Sequence, residues 1–266
     1  MTAAITVSRL SHGYGSTPVL ADISFTVPRK SFFIIIGPNG SGKTTTMKLI
    51  SGTEKRQYGQ LEVLDRPMDR YTRKELARKV AYVPQLVLED LPFTVMEVIL
   101  MGRSPHLGLL GLDRKKDRDL ARQAMVFTGV SHLARRRLDS ISGGERQRVF
   151  IARAICQEPG LILLDEPTAA LDLANQVRIM DLMEQLREEK GVTVVMVSHD
   201  INLAAMYGDH LLLLKEGRIV SEGSPENVLT YDTLETAYGC TLLVDESPLG
   251  AFPRVTLVPG RFKTGP

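Results

Sequence analysis

The sequence predicts an α/β fold with a mainly parallel central sheet, and three observations carry that prediction. Short apolar runs recur at 32–36, 80–83, 161–164 and 192–197, each the length of a strand buried on both faces. Helical patterns separate them, the alternation that builds a parallel sheet. The first run, Phe32-Phe33-Ile34-Ile35-Ile36, leads directly into Gly37-Pro38-Asn39-Gly40-Ser41-Gly42-Lys43-Thr44 and then a helical pattern over 45–50. Strand, glycine-rich loop and helix in that order form the context in which G-x-x-x-x-G-K-[ST] cradles phosphate.

Ile5 to Val27 alternates apolar and polar residues, as half-buried strands do. In the glycine loop, backbone N–H groups can turn inward, and the helix N-terminus adds about half a positive charge. Lys43 would reach the β- and γ-phosphates and the Thr44 hydroxyl would ligate Mg2+, so the chain is expected to bind a nucleoside triphosphate. Between about Leu88 and Leu138 the strand signal disappears. Helices over 94–101 and 117–129 there suggest an inserted helical subdomain.

Ser142-Gly143-Gly144-Glu145 reads as a capped helix start, with Ser142 as N-cap and Glu145 at capping-box spacing, ahead of a helical pattern over 146–157. Such a start is also a second anion site. Leu161-Ile162-Leu163-Leu164 ends in two carboxylates: Asp165 is the candidate magnesium ligand and Glu166 the candidate that polarises an attacking water. Two further runs, 211–215 and 218–222, flank Glu216-Gly217 and read as a hairpin. The tail from Cys240 onward is rich in Pro and Gly and carries little signal.

Composition limits the remaining possibilities. The 266 residues can bury a sizeable core, and 43% hydrophobic with 24% charged residues is ordinary for a soluble globular chain. A net charge of +2 is too small to imply nucleic-acid binding through bulk electrostatics. Two cysteines, Cys156 and Cys240, give no disulfide framework or metal-ligand spacing. The first residues lack the pattern of a signal peptide, and no apolar run approaches the ~20 residues that span a bilayer. Work at a membrane would therefore go through a partner.

Taken together, the motifs resemble the ATP-binding-cassette (ABC) ATPases over almost the whole chain. Ile141-Ser142-Gly143-Gly144-Glu145 is similar to the family signature Leu-Ser-Gly-Gly-Gln, departing from it at Ile141 and Glu145. The resemblance implies a RecA-like P-loop core with an N-terminal antiparallel β subdomain. It also implies an α-helical subdomain over about 88–150, inserted in a domain of 1–240, with 241–266 as an extension. Gly37, Asn39, Gly40, Ser41, Gly42, Lys43, Thr44 and Thr45 would hold ATP, with Tyr14 stacked on adenine. Thr44, Gln85 and Asp165 would contact Mg2+, while Lys43, Glu166 and His199 would be catalytic, His199 meeting the γ-phosphate. In the family, the signature of one subunit closes over ATP held by another. Ser142, Gly143, Gly144 and Glu145 would therefore act in trans across a homodimer, with Asp172 in the loop that meets the opposite subunit.

One stretch narrows the resemblance. Gly102-Arg103-Ser104-Pro105-His106, following the helical pattern of 94–101, resembles a run in bacterial importers of iron–siderophore complexes, haem and cobalamin. Glu222 to Leu229 and Tyr238-Gly239 are similar to the same group. That resemblance implies an integral-membrane permease, a periplasmic or surface binding protein, and a peripheral place on the cytoplasmic face of the membrane. The alternative is a soluble ABC ATPase that does no transport, such as one serving cluster assembly. Arg103 and His106 are expected to be exposed and to dock on the permease. The charge runs 113–119 and 135–137 are expected to be solvated, and His132 and His210 to be surface or packing residues.

Overall fold

The computed structural model describes residues 2–85, 92–108, 111–259 and 261. In chain order the strands are β1 (Ala3–Tyr14), β2 (Thr17–Pro28), β3 (Phe32–Ile36), β4 (Tyr58–Val63), β5 (Arg66–Pro67), β6 (Val80–Val83), β7 (Leu161–Asp165), β8 (Thr193–Val197), β9 (His210–Lys215), β10 (Arg218–Gly223), β11 (Leu242–Glu246) and β12 (Pro253–Leu257). The helices are α1 (Lys43–Ser51), α2 (Arg73–Ala77), α3 (Val95–Leu100), α4 (Lys115–Phe127), α5 (Gly143–Cys156), α6 (Leu173–Lys190), α7 (Ile201–Tyr207), α8 (Pro225–Val228) and α9 (Tyr231–Tyr238).

Strands β6, β7, β8, β3 and β9 run parallel, and β10 closes the edge antiparallel in the order β10-β9-β3-β8-β7-β6. The near-continuous apolar runs of the sequence follow from burial on both faces. Phe32, Ile34 and Ile36 share a core with Val98, Met125, Phe150 and Met183 from α3, α4, α5 and α6. The intervening Phe33 and Ile35 join Ile5, Phe25, Leu61 and Met47 from β1, β2, β4 and α1. The antiparallel sheet β2-β1-β4-β5 thus covers one face of the parallel sheet and the longer helices cover the other. Fully burying one such side chain contributes about 1.5–3 kcal/mol, so the two layers fix the ends of β3, β6, β7 and β8, where the site lies.

Helices α3, α4 and α5 lie between β6 and β7 in the chain. Thr94 caps α3 with Glu97 in a capping box, the same device that opens α5. The helix expected over 117–129 occurs one turn-fraction earlier, at Lys115–Phe127, because Gly129 takes φ +69° and ends it. The expected start of this unit near residue 88 lies outside the described residues.

Two expectations need correction here. Arg103 is not an exposed docking residue: it is 4% exposed. Its Nε donates to Asp117 Oδ1 at 2.9 Å, and its Nη1 donates to the Cys156 carbonyl at 2.8 Å and to Glu158 Oε2 at 3.0 Å. The 3-10 turn Met101–His106 rotates the side chain inward, where a flat guanidinium can satisfy several acceptors at once. His106 is half-buried, with Nε2 2.9 Å from the Gln157 carbonyl; burial, then Arg103, lowers its pKa. Gly102 packs so tightly that an added Cβ would stand 2.1 Å from the Arg153 carbonyl oxygen. The run therefore bolts the helical unit to the end of α5. Asp117 likewise leaves the expected solvated charge run, at 7% exposed. Arg135, Arg136 and Arg137 are exposed as expected.

The tail also holds more structure than its composition suggested. Strands β11 and β12 pair antiparallel from Leu242↔Leu257 to Glu246↔Pro253. An isolated two-stranded hairpin is marginal in water. Here it is tied to α7, since Asn202 donates to the Val255 carbonyl at 3.1 Å and accepts from its N–H at 2.8 Å.

Candidate active site

The phosphate loop is shaped by what a side chain would strike. Gly37 has φ +145°, and a Cβ there would meet the Leu214 carbonyl oxygen at 2.1 Å; Gly42 has φ +99°, with Leu20 Cδ2 at 2.5 Å. Both positions need glycine for backbone angle and for space. Gly42 precedes α1 without a side-chain cap, leaving the first amides of the helix for an anion. Lys43 is 5% exposed, and its Nζ donates to the Gly37 and Pro38 carbonyls, each at 2.9 Å. Burial lowers its pKa, while Glu166 and Asp165 pull it upward.

Across from the loop, β7 delivers the two carboxylates. Asp165 is buried and accepts from Thr44 Oγ1 at 3.2 Å and Tyr82 OH at 3.3 Å. Burial raises its pKa and the Thr44 hydrogen bond opposes that rise. The Tyr82 phenol is pushed well up by burial and by Asp165, so it stays a donor. Glu166 sits at φ +52°, a left-handed conformation that costs a non-glycine residue about 1–3 kcal/mol and clusters at functional sites. Its Oε2 accepts from Gln85 Nε2 at 2.6 Å, and its Oε1 lies 2.6 Å from His199 Nε2. Gln85, Glu166 and His199 follow β6, β7 and β8, so parallel neighbours bring three separate segments to one end of the sheet.

One cleft of about 550 Å³ opens here, with Gly37 and Asp165 outside its lining. It gathers Asn39, Gly40, Ser41, Gly42, Lys43, Thr44 and Thr45 with Gln85, Glu166 and His199; Val19 is added by the fold. Tyr14 is not part of the lining: it ends β1 and is 45% exposed. Ser142, Gly143, Gly144, Glu145 and Asp172 are not part of it either.

The start of α5 has its own architecture. Ser142 caps α5, its N–H and Oγ donating to Glu145 Oε2 at 2.9 and 2.8 Å while Glu145 N–H returns to Ser142 Oγ at 3.3 Å. Those bonds hold the Glu145 pKa low. His132 is exposed, as expected, and also has a carboxylate nearby, with Nε2 3.9 Å from Glu145 Oε1. A Cβ on Gly144 would fall 2.9 Å from the Asn175 amide. Arg148 Nη1 donates to Asn175 Oδ1 at 2.7 Å, and Asn175 donates to Asp172 Oδ1 from its backbone and to Oδ2 from its side chain, both at 2.8 Å. Asp172 is thereby the N-cap of α6 and is tied to the signature helix. Sequence reasoning missed Tyr82, Arg148 and Asn175; only Asn175, three residues after Asp172, has a local signal, the N-cap spacing.

The donors near the P-loop fit magnesium in chemistry. Among the described residues no group of three or more His, Cys, Asp and Glu could hold a metal. What converges is a hydroxyl on Thr44, a carboxylate on Asp165 and an amide on Gln85. Such hard oxygen donors suit Mg2+ when phosphate oxygens complete its shell.

Residues 20–169 match the ABC transporter family. The ferric enterobactin transport ATP-binding protein FepC of Escherichia coli (strain K12) is 36% identical over 247 residues, 93% of this chain and 91% of that protein. The hemin import ATP-binding protein HmuV of Vibrio cholerae is 39% identical over 259 residues, covering 96% and 98% of the two chains. A solved structure of a metal-chelate type ABC transporter in an inward-facing conformation superposes with a TM-score of 0.87 at 30% identity, over 98% of this chain and 99% of that one. The chain belongs to the ABC transporter family and is one of its ATPase subunits.

Proposed function

We propose that the chain powers an importer of a metal chelate, an iron–siderophore complex, haem or cobalamin, through a separate membrane permease. What supports the mechanism is a P-loop cleft and a Ser142-capped helix start, each suited to an anion, on different elements of one chain. The P-loop cleft and the Ser142-capped start of α5 do not line the same cleft. Two copies arranged head to tail would place the α5 start of each over the nucleotide of the other. Asp172, held by Asn175 beside Gly144, would move with that signature.

Within each site, Lys43 and the α1 amides bind the phosphates, and Thr44, Gln85 and Asp165 would hold Mg2+, which neutralises phosphate charge when bound. Glu166 orients a water for in-line attack and accepts its proton, while Gln85 and His199 hold the carboxylate in place. Dimer closure on ATP and opening after hydrolysis would drive the permease between its two facing states. No helix of the described residues is long and apolar enough to cross a membrane. The subunit would thus sit peripherally at the cytoplasmic face, with a periplasmic or surface binding protein supplying cargo. The names of the enterobactin and hemin relatives support the cargo class.

Deletion of the gene is expected to abolish uptake of at least one labelled ferric siderophore, haem or cobalamin, restored by wild type and not by Lys43→Ala. Unchanged uptake of all three would overturn the importer reading. The shared site has a separate test. Lys43→Ala, which lacks the cation facing the phosphates, and Ser142→Arg, which puts bulk and charge at the interface, should each be inactive. Their mixture should regain part of the wild-type ATPase, because a heterodimer holds one site with neither defect. Phosphate release from mixed and unmixed proteins reads this out, and no recovery in demonstrated heterodimers would contradict it.

A further inference from the structure

The cleft provides for the phosphates and leaves the base to Tyr14, whose ring must be presented by the end of β1. Two neighbours hold that end. The His12 ring, 5% exposed, meets Tyr14 edge to face with centroids 5.1 Å apart and planes at 88°. Among the described residues neither His12 nitrogen has a hydrogen-bond partner, and the ring meets Tyr14 by edge-to-face contact. Between them, Gly13 is gripped from both sides. A Cβ there would stand 2.6 Å from the Thr17 carbonyl oxygen of β2. On the other side, the β1–β4 pairing ends at Ser11↔Tyr58, and beyond it a side chain continues the ladder. Gln57 accepts from the Gly13 N–H at 3.0 Å and donates to the Gly13 carbonyl at 2.9 Å.

We infer that Gln57 is a positioning residue for the nucleotide base: its amide fixes Gly13, and through it the Tyr14 ring, without touching nucleotide. Its location explains the need. Gln57 lies in the segment that follows α1, the helix whose first turn carries Lys43 and Thr44. That segment is itself anchored, since Arg56 Nε donates to the Gly59 carbonyl at 2.9 Å and Arg56 Nη1 to Asp69 Oδ1 at 2.7 Å. The phosphate helix and the base platform are thereby joined by one short stretch of chain. An amide suits the role because it offers a donor and an acceptor side by side, matching a backbone N–H and C=O. Glutamate would keep the acceptor and lose the donor.

The inference rests on the reading that Tyr14 stacks on adenine, and the test separates the two. ATP and inorganic tripolyphosphate are titrated into the full chain by calorimetry in Mg2+ buffer, for wild type, Gln57→Ala, Gln57→Glu, Tyr14→Ala and the Gln57→Ala/Tyr14→Ala pair. Stacking of a base is worth about 1–3 kcal/mol, so Tyr14→Ala should weaken ATP roughly tenfold or more. Gln57→Ala should weaken ATP about fivefold, with Gln57→Glu between it and wild type. Tripolyphosphate should bind all variants alike, and the double variant should bind ATP no more weakly than Tyr14→Ala, since both act through one ring. Equal losses for ATP and tripolyphosphate in Gln57→Ala, or additive losses in the double variant, would overturn the inference. So would unchanged ATP affinity in Gln57→Ala beside a weakened Tyr14→Ala. Unchanged ATP affinity in Tyr14→Ala would overturn the stacking reading and this inference with it.

Discussion

Replacing Glu166 by Gln is expected to slow ATP hydrolysis about 10²–10⁴-fold, the range for removing a positioned general base, while ATP still binds. The substitution is nearly isosteric, so the left-handed backbone at Glu166 and the packing of β7 are kept. What disappears is the negative charge between Gln85 and His199, and with it the group that takes the proton from water. Lys43, Thr44 and Asp165 are untouched, so the phosphates keep their partners. ATP that persists should hold two copies together, and the variant should elute as a dimer in ATP and a monomer without it. Phosphate release, equilibrium ATP binding and light scattering check the three statements. Near-normal turnover with intact binding would remove Glu166 from the proton-transfer role.

The fold and the cleft were legible because their signals are local. Burial on both faces writes β3, β7 and β8 as continuous apolar runs, and the geometry of a phosphate loop demands Gly37, Gly42, Lys43 and Thr44 at fixed spacing. The Glu216-Gly217 turn marked the β9–β10 hairpin, and Ser142 with Glu145 marked the start of α5. What escaped the sequence depends on partners distant along the chain. Tyr82 reaches Asp165 across 83 positions and Gln57 reaches Gly13 across 44; neither residue type is informative until the sheets bring them together. The β11–β12 hairpin lacked a short turn signal, and its docking depends on Asn202 in a different element. Arg103 and Asp117 were misplaced for a related reason: charge in a polar stretch is usually solvated, and only the inward 3-10 turn makes this pair an exception.

That pair gives the largest expected effect on stability. Arg103→Ala should cost about 3–5 kcal/mol, the range for breaking a buried ion pair from one side. The variant takes the guanidinium from buried Asp117, leaving it the Arg114 N–H at 3.0 Å, and releases the Cys156 carbonyl and Glu158 at the end of α5. Replacing both partners, as in Arg103→Met with Asp117→Leu, should recover part of the loss, because no buried charge is left unpaired, while the Cys156 carbonyl and the Arg114 N–H still lose their partners. Acidity adds a signed check. The Asp117 pKa is held below its ordinary value first by the Arg114 backbone N–H, with Arg103 adding to it against burial. A depressed carboxyl contributes stability above its unfolded pKa of about 4 and loses it as pH falls through the lower folded value. The gap between wild type and Arg103→Ala should therefore be full near neutrality and narrow in that acid window, as read from denaturant midpoints at each pH. Because α5 carries Ser142 at its other end, Arg103→Ala should also lower ATPase activity at temperatures where the variant stays folded, through a signature helix no longer held at its base. A variant as stable as wild type at neutral pH would show that Asp117 is solvated after all.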